Sequence, residues 1–168
     1  MNFAYCPQCG HKDTVQKLND TDYECSDCQW HFWNNAKAAV GVMLIKDGQM
    51  LFGERAIEPQ KGKLDFPGGF VEYNEDAYAA AAREVSEETG LTIKNPTITF
   101  VGTHEYKPGY STVDLLMTVT EWEGDIQPGD DIASLSWCPI GVLDSDEFAW
   151  PWPGLTDALK KQLRRSTL

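Results

Sequence analysis

The chain has 168 residues, of which 42% are hydrophobic, and carries 26 Asp and Glu against 14 Lys and Arg, a formal net charge of −12. This length admits one ordinary domain plus a small module, and the charge disfavours contact with nucleic acid or anionic membranes while leaving chemistry on anionic nucleotides open wherever metal ions hold the phosphates. No apolar run approaches the ~18 residues of a membrane-spanning helix, and Met1–Asp13 lacks a basic segment followed by an apolar one, so neither membrane nor leader is expected and the cytoplasm is the expected location.

Residues 1–35 read as a separate module. Cys6-x2-Cys9 and Cys25-x2-Cys28 have the spacing of a tetrahedral zinc site made of four thiolates. Pro7 and Gly10 suit the first ligand turn, and Ser26-Asp27 the second. Thr14–Leu18 and Tyr23–Glu24 supply a short hairpin with Asn19-Asp20 near its tip, and the whole resembles a zinc ribbon. Four thiolates leave no open position, so Zn²⁺ here is structural, and His11 and His31 are not needed as ligands. The rival reading, two disulfides, requires an oxidising compartment. Lys12 and Lys17 are the only Lys or Arg before residue 36, which favours a packing or dimer role over nucleic-acid binding. Trp30, His31, Phe32 and Trp33 are expected to pack the ribbon against the following domain.

From residue 36 the pattern is mixed. Ala38–Ile45 and Gln49–Arg55 read as strands around Asp47-Gly48, a hairpin turn signal. Gly62–Gly69 leads into a helix that runs from about Ala77 toward Gly90. Asn74 is its expected N-cap and Gly90 its C-cap. Tyr78, Ala81, Ala82 and Val85 form one apolar face; Glu84, Glu87 and Glu88 share another, within about 100°. Those glutamates are a poor choice for stability: the helix C-terminus favours cations, and a like-charged i,i+4 pair costs roughly 0.2–0.5 kcal/mol. A divalent cation turns that cost into a binding site, and Arg83, one turn before Glu87, is placed to orient it. Thr97–Tyr106 and Thr112–Trp122 read as strands, Glu123–Asp131 as a polar loop and Ser134–Trp137 as a short strand. Cys138 reads as a buried apolar cysteine. Trp150-Pro151-Trp152-Pro153 is a rigid packing segment or, alternatively, part of a substrate cleft. Gly154–Arg165 closes the chain as an amphipathic helix with Leu155, Leu159 and Leu163 on one face. Mixed strands with two principal helices fit an α/β sandwich.

Gly69-x5-Glu75-x7-Arg83-Glu84-Val85-Ser86-Glu87-Glu88-Thr89-Gly90-Leu91 matches the Nudix box, G-x5-E-x7-R-E-U-x-E-E-x-G-U, at every defined position. The chain therefore resembles the Nudix hydrolases. The resemblance implies an α/β/α sandwich with a mixed sheet over residues 36–168. It also implies metal-dependent hydrolysis of a pyrophosphate linked to a nucleoside or similar group. Glu84, Glu87 and Glu88 are the expected ligands of catalytic Mg²⁺ or Mn²⁺. The family adds the Gly68 backbone carbonyl and an acid from a later loop, here Asp131, with Asp130 its nearest competitor. Glu84 is the first choice of general base; Arg83 and Glu87 complete the catalytic set, and Glu75 supports Arg83. Weaker matches lie at Arg55 with Pro59, at Gly62-Lys63…Pro67-Gly68-Gly69, and at Asp131-Ile132…Trp137; Leu64 stands where the family usually has an aromatic. Arg55 is counted with the substrate-binding residues, and Phe66, Tyr106 and Tyr110 are candidates for stacking on a base.

A ribbon ahead of such a domain resembles the NADH pyrophosphatase group. That group's S-Q-P-W-P-F-P-x-S signature is met here, at Thr103–Ser111, only by Ser111 and an aromatic at Tyr106. Pro108 fits a tendency of ADP-ribose pyrophosphatases and is equally an ordinary turn with Gly109. The expected substrate is ADP-ribose, NADH or a similar nucleoside diphosphate derivative. The alternatives are house-cleaning of nucleoside triphosphates and a non-catalytic ligand sensor. An RNA substrate meets the charge objection. Many relatives are homodimers, and the resemblance admits that assembly here by analogy alone.

Overall fold

In the computed structural model, which describes residues 2–165, the chain first forms a three-stranded antiparallel sheet of β1 (Val15–Lys17), β2 (Asp22–Cys25) and β3 (His31–Trp33). The Asn19 side-chain oxygen accepts from the backbone N–H groups of Thr21 and Asp22, at 2.8 and 2.9 Å, and closes the β1–β2 hairpin. Trp30 and Phe32, expected to pack toward the next domain, have ring partners within the ribbon itself. They pack with Phe3 and Tyr23, ring centroids 5.4 to 6.1 Å apart, as the ribbon's own apolar core. So small a module buries little surface, and aromatic rings supply the largest burial per residue.

The remaining elements are β4 (Lys37–Lys46), β5 (Gln49–Arg55), β6 (Leu64–Asp65), β7 (Gly68–Phe70), α1 (Ala77–Thr89), β8 (Thr92–Lys94), β9 (Thr97–Lys107), β10 (Tyr110–Val119), β11 (Glu121–Glu123), β12 (Ile132–Pro139), a 3₁₀ turn (Ile140–Asp144) and α2 (Leu155–Arg165). The main sheet runs β12-β5-β4-β10-β9, with β6 beside β5 and β7 beside β4. β4 and β10 are parallel and the other pairs antiparallel, so the sheet is mixed. β8 and β11 form a separate two-stranded sheet. The expected single strand Thr112–Trp122 is thus two strands broken at Thr120, and two short strands, β6 and β7, lie in what had read as a connecting segment.

Alternation along β4 explains the layers. Val40, Val42 and Leu44 face α1, where they join Ala80, Ala81 and Val85. Met43 and Ile45 face the other way and join Phe52, Phe148, Leu155 and Leu159 under α2. Each fully buried Leu or Phe in these cores contributes roughly 1.5–3 kcal/mol. The Asp47-Gly48 turn has both residues at positive φ, 52° and 75°, which suits the right-handed twist of a two-residue hairpin. Yet β4 and β5 pair only at Ile45↔Met50 and Lys46↔Gln49. Beyond that they splay: β7 takes the edge of β4 and β6 the edge of β5. The splay opens the cavity described below.

Two local expectations for α1 are corrected. The N-cap is Asp76, whose Oδ1 accepts from the N–H groups of Tyr78 and Ala79 at 2.9 Å each; Asn74 sits two residues earlier at φ 64°. The buried face is Ala80, Ala81, Glu84, Val85 and Glu88, while Tyr78 and Ala82 are exposed. Small alanines let the helix lie close on the sheet, which turns the adjacent glutamate stripe inward. Gly90, at φ 73°, caps the C-terminus through its N–H to the Ser86 carbonyl.

Candidate active site

A cavity of about 250 Å³ lies between the splayed strands, lined by Gly41, Asp65, Phe66, Gly68, Gly69, Glu84, Glu88, Asp130, Asp131, Trp150 and Trp152 among others. α1 delivers the glutamates and β7 passes directly over them. A Cβ on Gly69 would stand 2.4 Å from Glu84 Oε1, so glycine is required for that approach.

Arg83 organises the acids. Its Nε and Nη2 grip both oxygens of Glu75 at 2.9 Å, a bidentate pair. Its Nη1 donates to Glu84 at 2.9 Å and to Glu87 at 3.1 Å, and its Nη2 also donates to the Phe70 carbonyl at 3.1 Å. Arg83 accordingly holds Glu75 below the ordinary carboxylate range, helped by the Glu72 N–H. Glu75 and its neighbours in turn hold Arg83 still more firmly protonated. Glu84 is pushed up by burial, against the pull of Arg83, with Glu87 and Asp130 adding repulsion.

Glu88 is the most deeply placed acid, 4% exposed. Its Oε2 accepts from the Gly68 N–H at 2.8 Å. Burial pushes it up to about 9; the Gly68 N–H opposes this, while Asp131 and Glu84 add to it. The loop that supplies Asp130 and Asp131 is held by the end of α1: Gln127 and Gly129 donate N–H groups to the carbonyls of Thr89 and Glu88, at 2.9 and 3.0 Å. The helix-end carbonyls that would otherwise lack partners thus carry two more acids into the cavity. These carboxylates do not close into a set of three within 4.8 Å of one another, because Arg83 draws Glu84 and Glu87 and the Gly68 N–H holds Glu88. A divalent cation, which takes oxygen ligands, would offset the burial and the added repulsion that raise Glu88.

The opposite wall was only partly foreseen. Asp65 Oδ2 accepts from Arg55 Nη1 at 2.9 Å and from Trp150 Nε1 at 2.8 Å, and Arg55 Nε donates to the Pro59 carbonyl at 2.8 Å. Arg55, expected among the substrate-binding residues, lines the cavity and braces this wall. Burial pushes Asp65 up, against Arg55. Backbone bonds from Leu64 to Glu147 and from Ala149 to Leu64 place Trp150 against Asp65. Trp150 and Trp152 both line the cavity, the alternative reading of that segment. Of the three stacking candidates, Tyr106 reaches the cavity, its ring 5.4 Å from Trp150. Phe66 lines it too but is mostly core, 5% exposed against Phe52 and Phe148. Tyr110 lies outside, in a neighbouring groove with Lys37 and Lys107 over its ring. Sequence reasoning passed over Asp65, His104, Thr112 and Asp114. The alternation of Thr112 and Asp114 ahead of the apolar run Leu115–Met117 was the available signal.

In the ribbon, the sulfurs of Cys6, Cys9, Cys25 and Cys28 all lie within 4.8 Å of one another. Cys6–Cys28 and Cys9–Cys25 are 3.7 and 3.8 Å apart, and all four are free thiols. The pairing expected of disulfides is absent among them. The Thr14 hydroxyl, followed by the backbone N–H groups of Cys28 and Asp27, draws Cys25 down to about 6 against burial. Cys28 goes up to about 12: the Trp30 N–H pulls it down, but burial and the three neighbouring thiols outweigh that. Backbone donors aimed at clustered sulfurs fit thiolates around a cation.

The sequence model described as the NUDIX domain matches residues 35–157. An ADP-ribose pyrophosphatase of Methanocaldococcus jannaschii is 30% identical over 121 residues, 71% of this chain and 72% of that protein. The NAD-capped RNA hydrolase NudC of Haemophilus influenzae is 32% identical over 93 residues, 54% of this chain and 35% of NudC; the chain thus spans about a third of that relative's length. Among solved structures, a NUDIX hydrolase from Nitrosomonas europaea superimposes with a TM-score of 0.73 at 26% identity, covering 97% of this chain and 92% of that one, ribbon included. The box residues, the mixed sheet between two helices and these likenesses converge: the chain belongs to the Nudix hydrolase family.

Proposed function

We propose that this Nudix pyrophosphohydrolase cleaves the pyrophosphate of a nucleoside diphosphate derivative such as ADP-ribose or NADH. In this reading Mg²⁺ or Mn²⁺ is held by Glu84, Glu87, Glu88, Asp131 and the Gly68 carbonyl. The observation that carries the reading is one cavity with the buried acidic face of α1 on one side and Trp150, Trp152 and Tyr106 on the other. It offers an acidic face for a metal-borne pyrophosphate and an aromatic one for the group attached to it. A cation bound there supplies phosphate charge neutralisation and acidifies water. Glu84 accepts the proton of the attacking water, its basicity raised by burial. Arg83 holds Glu84 and Glu87 in position. As the new P–O bond forms, the bridging P–O bond breaks and each half leaves with one phosphate.

The M. jannaschii relative supports ADP-ribose, and NudC supports the NAD-type half of the proposal; the −12 charge weighs against capped RNA. The same reading assigns residues 1–35 to a ribbon with structural Zn²⁺ at Cys6, Cys9, Cys25 and Cys28, residues 36–168 to the catalytic domain, a cytoplasmic location and a homodimer. The test is product release with Mg²⁺ from ADP-ribose, NADH, nucleotide sugars, diadenosine polyphosphates and nucleoside triphosphates, with products identified by mass. AMP and ribose 5-phosphate from ADP-ribose is the expected result. Preference for triphosphates, or no turnover at all, overturns it.

A further inference from the structure

We propose that the cavity wall built by β9, β10 and the Trp150–Pro153 segment reads the hydrogen-bonding edge of a nucleobase. His104 Nε2 is its acceptor and Trp152 Nε1 its donor. The inference rests on the nucleotide reading above and adds which end of the substrate lies here and what recognises it.

His104 on β9 and Thr112 on β10 are cross-strand partners, and Asp114 follows on the same face. Thr112 and Asp114 are 2% and 6% exposed. The Thr112 hydroxyl donates to Asp114 Oδ2 at 2.6 Å. His104 Nδ1 lies 3.1 Å from Asp114 Oδ2 and 2.9 Å from Thr112 Oγ1. With the threonine proton committed to the aspartate, both neighbours of Nδ1 are acceptors, so Nδ1 carries the hydrogen. That fixes the tautomer: in the neutral ring Nε2 is a bare acceptor.

Trp152 is nine-tenths buried, its ring 4.8 Å from that of His104, and both line the cavity. His104 Nε2 and Trp152 Nε1 are both buried, and neither has a hydrogen-bond partner among the described residues. Buried polar atoms in native proteins are almost always paired, and two orphans on neighbouring rings that line one cavity call for a partner. One accepts and the other donates. A phosphate offers only acceptors. A base edge places an N–H donor beside a ring nitrogen or carbonyl acceptor and meets both, while Trp150 and Tyr106 flank its plane. A carboxylate–histidine pair buried in a chain of net charge −12 is costly as mere packing; as a device that orients the ring, with Nδ1 toward Asp114 and Thr112 and Nε2 away from them, it has a reason.

The test measures equilibrium binding, independent of turnover. Binding of ADP, CDP, GDP and UDP is compared with that of base-free ribose 5-diphosphate, by titration calorimetry in the presence of Mg²⁺. The wild-type protein is expected to bind its best nucleoside diphosphate at least about tenfold more tightly than the base-free ligand. His104→Ala and Trp152→Phe, which keeps an aromatic ring but loses the Nε1–H, are each expected to shrink that ratio about tenfold and to leave the base-free affinity in place. An unchanged ratio in Trp152→Phe means that stacking alone holds the base, and overturns the proposal. So does an equal loss for both ligands, or a wild-type ratio near one. A protein that discriminates as expected yet hydrolyses no diphosphate derivative retains the base reader and loses the catalytic reading.

Discussion

Glu88→Gln separates the stability of this site from its chemistry. Glu88 has a folded pKa of about 9 against an ordinary 4.5. Between those values the folded protein keeps a proton that the unfolded chain has released. The contribution to stability is therefore intact below about pH 4.5 and is lost as pH rises toward 9. At pH 8 the interval above 4.5 is about 3.5 pH units, a ceiling of about 5 kcal/mol at ~1.36 kcal/mol per unit. Side-chain adjustment reduces this to about 2–5 kcal/mol. Gln cannot ionise, keeps an oxygen for the Gly68 N–H, and presents an amide to Asp131. In Mg²⁺-free buffer at pH 8 the variant should therefore melt higher than wild type. At roughly 2–4 °C per kcal/mol for a chain of this size, the gain is about 4–20 °C. With Mg²⁺ the order should reverse in function: the wild type gains Tm and turnover, and the variant gains little of either. Calorimetric melts from pH 5 to 9, with and without Mg²⁺, measure both. A wild-type Tm flat across that range, together with a variant that melts no higher at pH 8, would refute the argument that burial without a cation strains Glu88.

Three further outcomes follow from the same geometry. Glu84→Gln should cut Mg²⁺-dependent turnover by at least about 100-fold, the lower range for a lost general base, with Tm held within a few degrees; full activity sinks the assignment. Gly69→Ala places a methyl 2.4 Å from Glu84 Oε1, so it should lower kcat about as strongly as Glu84→Gln, and a crystal structure should show Glu84 displaced. Cys6→Ser should release zinc, detected by metal analysis, and melt the ribbon; a purified wild-type protein without zinc and with oxidised thiols excludes the ribbon metal.

The parts readable from the primary structure are those whose partners lie a few residues apart. Cys6 and Cys9, or Cys25 and Cys28, sit on one turn. Arg83 meets Glu87 across one helical turn. The Asp47-Gly48 hairpin needs only two residues with positive φ. The misreadings near α1 arose where local propensity was ambiguous. Asn74 and Asp76 are both good caps, and which one initiates the helix depends on how Glu72–Glu75 folds beneath Arg83. Tyr78 was placed on the apolar face by periodicity, but the sheet takes the alanine side.

The far wall is different in kind. Trp150 meets Asp65 across 85 residues, and His104 meets Asp114 only through the register of β9 on β10. Asp130 and Asp131 reach the glutamates because their loop satisfies the carbonyls ending α1. Spacing pointed to a thiolate module and an acidic helix, since each is written in short-range periodicity, and the residues of that helix carried the resemblance to the Nudix hydrolases. Which aromatics and which polar residues line the cavity depended on strand register and on the splay of β4 from β5. Those are settled by packing between distant segments, which no local pattern in the chain encodes.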